Sequence, residues 1–125
     1  MKLWIDDVRP APAGYVECKS VDGAKDVINY SETMVKFYKY ILANDELPEW
    51  IRASTEQDLK EVVIDIIDTD CDAGDWVIAG GDYVRFLDWL EETERNYPIR
   101  IHSMNPVGVQ NMYAIIQANG WREIK

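Results

Sequence analysis

At 125 residues, 47% of them hydrophobic, the chain suits one domain, 1–125, with a buried core. A formal net charge of −10 excludes broad binding to a nucleic-acid backbone, which needs a basic surface. No run approaches the roughly 18 apolar residues of a membrane span, no secretory pattern opens the chain, and Cys18 and Cys71 form no CxxC pair; a reduced, cytoplasmic protein without a membrane role is expected.

Strand and helix signals alternate along the chain, the pattern of a parallel α/β fold. Residues 3–5 read as the first strand and run into Asp6-Asp7. Arg9-Pro10-Ala11-Pro12-Ala13-Gly14 cannot be helical, because two prolines and a glycine interrupt it. That leaves a short link to a second strand at 15–19, close to the minimum of roughly 10 residues for a parallel crossover. Ser20 caps a helix with Val21, Ala24, Val27 and Ile28 on one face. Residues 31–60 exceed a minimal connection and read as a helical insertion. In it Met34, Phe37, Tyr38, Ile41 and Leu42 repeat at helical spacing, and Pro48 marks the exit. Ser54 or Thr55 then caps a short helix before Val62. Trp50 and Ile51 either pack a small outer cluster or meet a partner.

Residues 62–67 are nearly all β-branched, as in a central strand covered on both faces. Asp65 interrupts them, a costly residue to bury unpaired. Gly80-Gly81 leads into a helix with Tyr83, Val84, Leu87 and Leu90 inward. The fourth strand is 99–102, followed by Asn105 as N-cap, Pro106 at the first helical position and Gly120 at the far end. Residues 121–124 make a fifth strand, with no last helix after it.

Three polar segments follow apolar runs: Asp6-Asp7, Asp68-Thr69-Asp70-Cys71-Asp72, and His102-Ser103-Met104-Asn105-Pro106. Ligands of open parallel sheets bind beyond the carboxyl ends of the strands, so these segments are expected to converge on one site. Asp6, Asp7 and Asp70 can hold Mg²⁺ or Mn²⁺ through oxygen, or merely repel one another in solvent, so that Asp6→Asn should cost little. Asp72 is a further ligand or part of an Asx turn with Gly74, and Asp68 alternates with Asp70 and can share its face. His102 is the candidate general acid or base, since its ordinary pKa lies near neutrality. Asn105 and the amides near Val107 and Gly108 offer a phosphate cradle at a helix start. Arg9 pairs with a phosphate or with Asp7, and Trp4 or Trp76 stacks on a base or packs the protein. Cys71 is by default an inert small residue lining the site. A Cys71–His102 nucleophile pair or a Zn²⁺ site with a carboxylate are the alternatives.

Three stretches carry a family resemblance: Leu3-Trp4-Ile5-Asp6-Asp7-Val8-Arg9-Pro10, Asp70-Cys71-Asp72-Ala73-Gly74, and His102-Ser103-Met104-Asn105-Pro106-Val107-Gly108. They resemble the cyclic-phosphate processing receiver-like domains, relatives of response-regulator receivers. The resemblance implies a flavodoxin-like three-layer sandwich with a mainly parallel sheet of order 2-1-3-4-5. It further implies a metal-assisted phosphoesterase acting on cyclic or terminal phosphates of nucleotides or RNA ends. Asp6, Asp7 and Asp70 would match the receiver acidic pocket, and Ser103 the position that contacts a phosphoryl oxygen. The family's third-strand motif reads Asp-His-Asp, whereas this chain has Cys71 in the middle. On that reading Cys71→His should raise activity. The alternative is a non-catalytic receiver-like module that binds a ligand or partner through a degenerate site. A phosphoacceptor role for Asp70, with Lys125 as the lysine, is a third.

Overall fold

The computed structural model describes residues 1–125. Strands β1 (Lys2–Ile5), β2 (Tyr15–Cys18), β3 (Ile66–Thr69) and β4 (Ile99–Ile101) form one sheet of order β2-β1-β3-β4 with every pairing parallel. Helices α1 (Val21–Leu42), α2 (Glu49–Val62), α3 (Val84–Glu92) and α4 (Pro106–Asn119) complete a single α/β domain, with a 3₁₀ turn at Gly74–Ile78. No helix is long and apolar enough to cross a membrane.

Several boundaries differ from expectation, each for a local reason. The helix capped by Ser20, whose hydroxyl accepts from the Gly23 amide at 3.0 Å, does not stop before residue 31. Asn29 to Thr33 contain neither Gly nor Pro, so α1 runs unbroken for 22 residues. Ser54 and Thr55 are interior residues of α2 rather than caps, and Thr55 is buried. The Ser31 hydroxyl donates to the Val62 carbonyl at 2.7 Å and ties the two helices together. The β-branched run at 62–67 divides: Val62 ends α2 and Ile64 enters the core. Asp65 stays exposed ahead of β3, which removes its expected burial cost. The strand therefore starts later and carries Asp68 inside it, 1% exposed. The fifth strand reduces to one bridge, Ile99 to Glu123, because only Ile99 offers both its amide and its carbonyl to that segment.

Strand register sorts the side chains into two faces. Leu3, Ile67 and Ile99 lie side by side, as do Ile5, Thr69 and Ile101. Leu3, Ile5, Ile67 and Ile99 pack with Val21, Ala24 and Ile28 of α1, Phe86, Leu87 and Leu90 of α3, and Met112 and Ile116 of α4. Each of the buried Val, Leu, Ile, Phe and Met side chains contributes about 1.5–3 kcal/mol. The opposite face holds Lys2, Tyr15 and Ile66 in one row and Trp4, Glu17, Asp68 and Arg100 in the next. No helix joins those residues to the core, so the expected three-layer sandwich has two layers here. The cause is in the sequence: Pro10 and Pro12 keep the β1–β2 crossover a loop where a covering helix would otherwise run. That loop covers the Trp4 and Asp6 end of the face: the Trp4 indole N–H donates to the Arg9 carbonyl at 3.0 Å.

Candidate functional site

Strand alternation, continued past the strand ends, sends Asp6 and His102 to the same face as Trp4 and Asp68. There they form one buried ionic group. Asp6, fully buried, accepts the Val8 and Arg9 amides on Oδ1, both at 2.9 Å, and sits 2.9 Å from His102 Nε2 through Oδ2. The other ring nitrogen, Nδ1, lies 2.5 Å from Asp68 Oδ1. Arg100 approaches the second Asp68 oxygen at 3.7 Å. The imidazole stacks flat on Trp4, with ring centroids 3.8 Å apart and planes 8° apart, and Tyr15 meets Trp4 edge-on. Trp4 thus stacks on the histidine rather than offering its face to a base.

Burial alone would lower the His102 pKa, but carboxylates on both nitrogens outweigh it and raise the value above the usual histidine range. Burial would likewise raise Asp6, yet the Arg9 and Val8 amides and then His102 hold it below the usual carboxylate range. Both shifts favour a protonated ring beside an ionised Asp6. Asp68 was legible only as a residue alternating with Asp70; its partnership with His102 depends on β3 and β4 being neighbours.

One oxygen from each of Asp6, Asp7 and Asp70 lies within 4.8 Å of the other two, a set that can hold a divalent ion. All three donors are hard oxygens, suited to Mg²⁺ or Mn²⁺. The Asp70 amide donates to the Ile5 carbonyl at 2.8 Å, which docks the third motif against the first. Gly74, at φ +55°, leaves room for the Asp7 carboxylate: a Cβ there would stand 2.3 Å from Asp7 Oδ2. Gly74→Ala should therefore cost about 1–3 kcal/mol in chemical denaturation and displace Asp7 from the trio; an unchanged midpoint would contradict this packing. Tyr83, which the sequence marked only as core, borders the cluster. Burial first, then Asp7, Asp6, Asp70 and Asp82, push its hydroxyl pKa up, and the hydroxyl donates to the Lys19 carbonyl at 2.7 Å.

The remaining candidates sit elsewhere. Asp72, expected as a further ligand, is no member of the trio; it accepts the Asn105 side-chain amide at 3.2 Å, which draws it toward the start of α4. Asn105 is the expected N-cap, accepting from the Gly108 amide at 3.0 Å, so that amide is not free for a phosphate. The Ser103 hydroxyl accepts the Asn105 amide at 3.1 Å. Cys71, Asp72, Asn105, Val107 and Gly108 do come together, but around a separate hollow of about 170 Å³ that none of Asp6, Asp7, Asp70 or His102 lines. The Arg9 side chain is exposed and forms no ion pair with Asp7. Trp76 lies in the 3₁₀ turn, 44% exposed.

Cys71 is a core residue. Its Sγ is 3.6 Å from Met112 Sδ, and Gly108 packs so closely that a Cβ there would meet Cys71 Cβ at 2.9 Å. Burial raises its thiol pKa despite the Ser103 hydroxyl, and Asp70 and Asp72 raise it further, which disfavours a nucleophilic thiolate. With both His102 nitrogens already paired, neither the Cys–His pair nor the zinc site is formed. An imidazole at position 71 would press on Met112 and Gly108 instead of joining the carboxylates. Comparison with protein-family models, with curated proteins and with solved structures finds no match.

Proposed function

We propose that this protein is a divalent-cation-assisted phosphoesterase for cyclic or terminal phosphates of nucleotides or RNA ends. The carrying observation is the carboxylate trio of Asp6, Asp7 and Asp70 in direct contact, through Asp6, with the His102 ring at 2.9 Å. A bound cation supplies Lewis-acid polarisation of the phosphate and a more acidic water. His102 serves as general acid, giving the Nε2 proton to the leaving oxygen. Asp68 fixes the ring through Nδ1 and stabilises its charge. The Ser103 hydroxyl and the Arg9 guanidinium are the donors for phosphate oxygens. A receiver-like ancestry fits the strand order β2-β1-β3-β4.

A second reading has its own support. Asn105 and the Gly108 amide satisfy each other, and both His102 nitrogens are engaged, as in a module that binds without turning over. A screen of 2′,3′- and 3′,5′-cyclic nucleotides and terminal phosphates with Mg²⁺ and Mn²⁺ separates the two. The expected result is turnover that falls at least about 10²-fold in Asp70→Asn, together with cation-dependent stabilisation lost in the same variant. Stabilisation without turnover favours the binding module. Absence of both sinks the shared cation site.

A further inference from the structure

Parallel sheets are almost always covered on both faces, because their strands carry side chains to bury on each. Here the second face has no helical cover below Trp4. Its rows are Tyr15, Lys2 and Ile66, then Glu17, Trp4, Asp68 and Arg100. The Ile99–Glu123 bridge puts Glu123 on the helical side, where it borders Tyr113 and Gln117 of α4, so alternation turns Arg122 and Ile124 to the bare face. Its exposed charges are Lys2, Arg100 and Arg122 against Glu17; Glu17 pairs with Lys19 at 3.3 Å and Arg100 lies 3.7 Å from the buried Asp68, which leaves the Lys2 and Arg122 cations without an acidic partner. In a chain of net charge −10, this is a cationic face. Half-buried Tyr15, Ile66 and Ile124 lie among those cations.

We infer that this face docks an acidic amphipathic helix of a partner protein, in the layer that the proline-bearing crossover leaves open. The helix's apolar stripe would cover Tyr15, Ile66 and Ile124, and its carboxylates would meet Lys2 and Arg122. Two copies pairing symmetrically would set the same cations against one another. A nucleic-acid strand would satisfy the cations but leave the apolar ground wet.

The inference does not depend on the phosphoesterase reading, and its test needs no turnover. The probe is a synthetic helix of roughly five turns with a leucine stripe flanked by glutamates, titrated into the isotope-labelled protein. A lysine-flanked helix with the same stripe is the control. The expected result is that only the acidic helix binds and that it shifts amides in β1, β3 and β4. Lys2→Glu and Arg122→Glu, each checked for native folding by circular dichroism, should together weaken it at least about tenfold. No binding, equal binding of the two helices, or shifts confined to α1 and α2 would overturn the proposal. So would an oligonucleotide that displaces the acidic helix from the same amides, or self-association abolished by Lys2→Glu.

Discussion

His102→Gln is expected to destabilise the fold by about 3–5 kcal/mol, the usual cost of leaving buried charge without its partner. Asp6 and Asp68 are both essentially fully buried, and each gives a carboxylate oxygen to one nitrogen of the ring. Glutamine can reach at most one of them and carries no charge, so two carboxylates would face each other in a medium that screens poorly. It also loses the flat stack on Trp4. The second-site change Asp68→Asn should recover part of the loss, because it removes one of the two stranded charges. Urea denaturation of the single and double variants measures both terms. A loss under about 1 kcal/mol for His102→Gln would mean that the group is solvated, against the buried geometry.

Asp6→Asn should cost about 1.5–3 kcal/mol, the range for a hydrogen bond to a charged group, and should flatten the dependence of stability on pH. The sequence suggested the opposite, a harmless relief of repulsion among aspartates. The structure reverses that expectation because Asp6 spends Oδ1 on two amides and Oδ2 on the His102 ring. Asparagine can keep the two amides but offers His102 no negative charge. The sign of the pH effect follows by linkage. His102 is raised above 6.5 in the fold, so its contribution is whole below 6.5 and is lost as pH rises through the folded value. Asp6 is lowered below 3.8, so its contribution is whole above 3.8 and is lost as pH falls through the folded value. Between those two ordinary values both contributions are complete. Wild-type stability should therefore decline as pH rises above 6.5, and Asp6→Asn should decline less. Equal slopes in the two proteins would show that Asp6 does not hold the histidine's proton.

Much of the site was legible as residue types at strand ends. Asp6, Asp70 and His102 each follow an apolar run, and in a parallel sheet those ends lie on one edge. The caps at Ser20 and Asn105 were legible too, because a side-chain oxygen three residues before a free amide is a local event. Cys71 was not. Its neighbours in sequence are aspartates, but the turn closed by Gly74 aims its thiol at Met112, 41 residues away.

The same division runs through the fold. Local chemistry by itself determined that strands and helices alternate, that Pro10 and Pro12 forbid a crossover helix, and that α4 begins at Pro106 and stops before Gly120. Where β3 begins was beyond it, since a β-branched run suits a strand or a helix end and only the packing of Val62 and Ile64 chooses. Tertiary structure alone decided that His102 lies between Asp6 and Asp68. That contact joins residues 96 and 34 positions apart, and it exists because β1, β3 and β4 are neighbours in register, bringing three short polar segments to a single buried point.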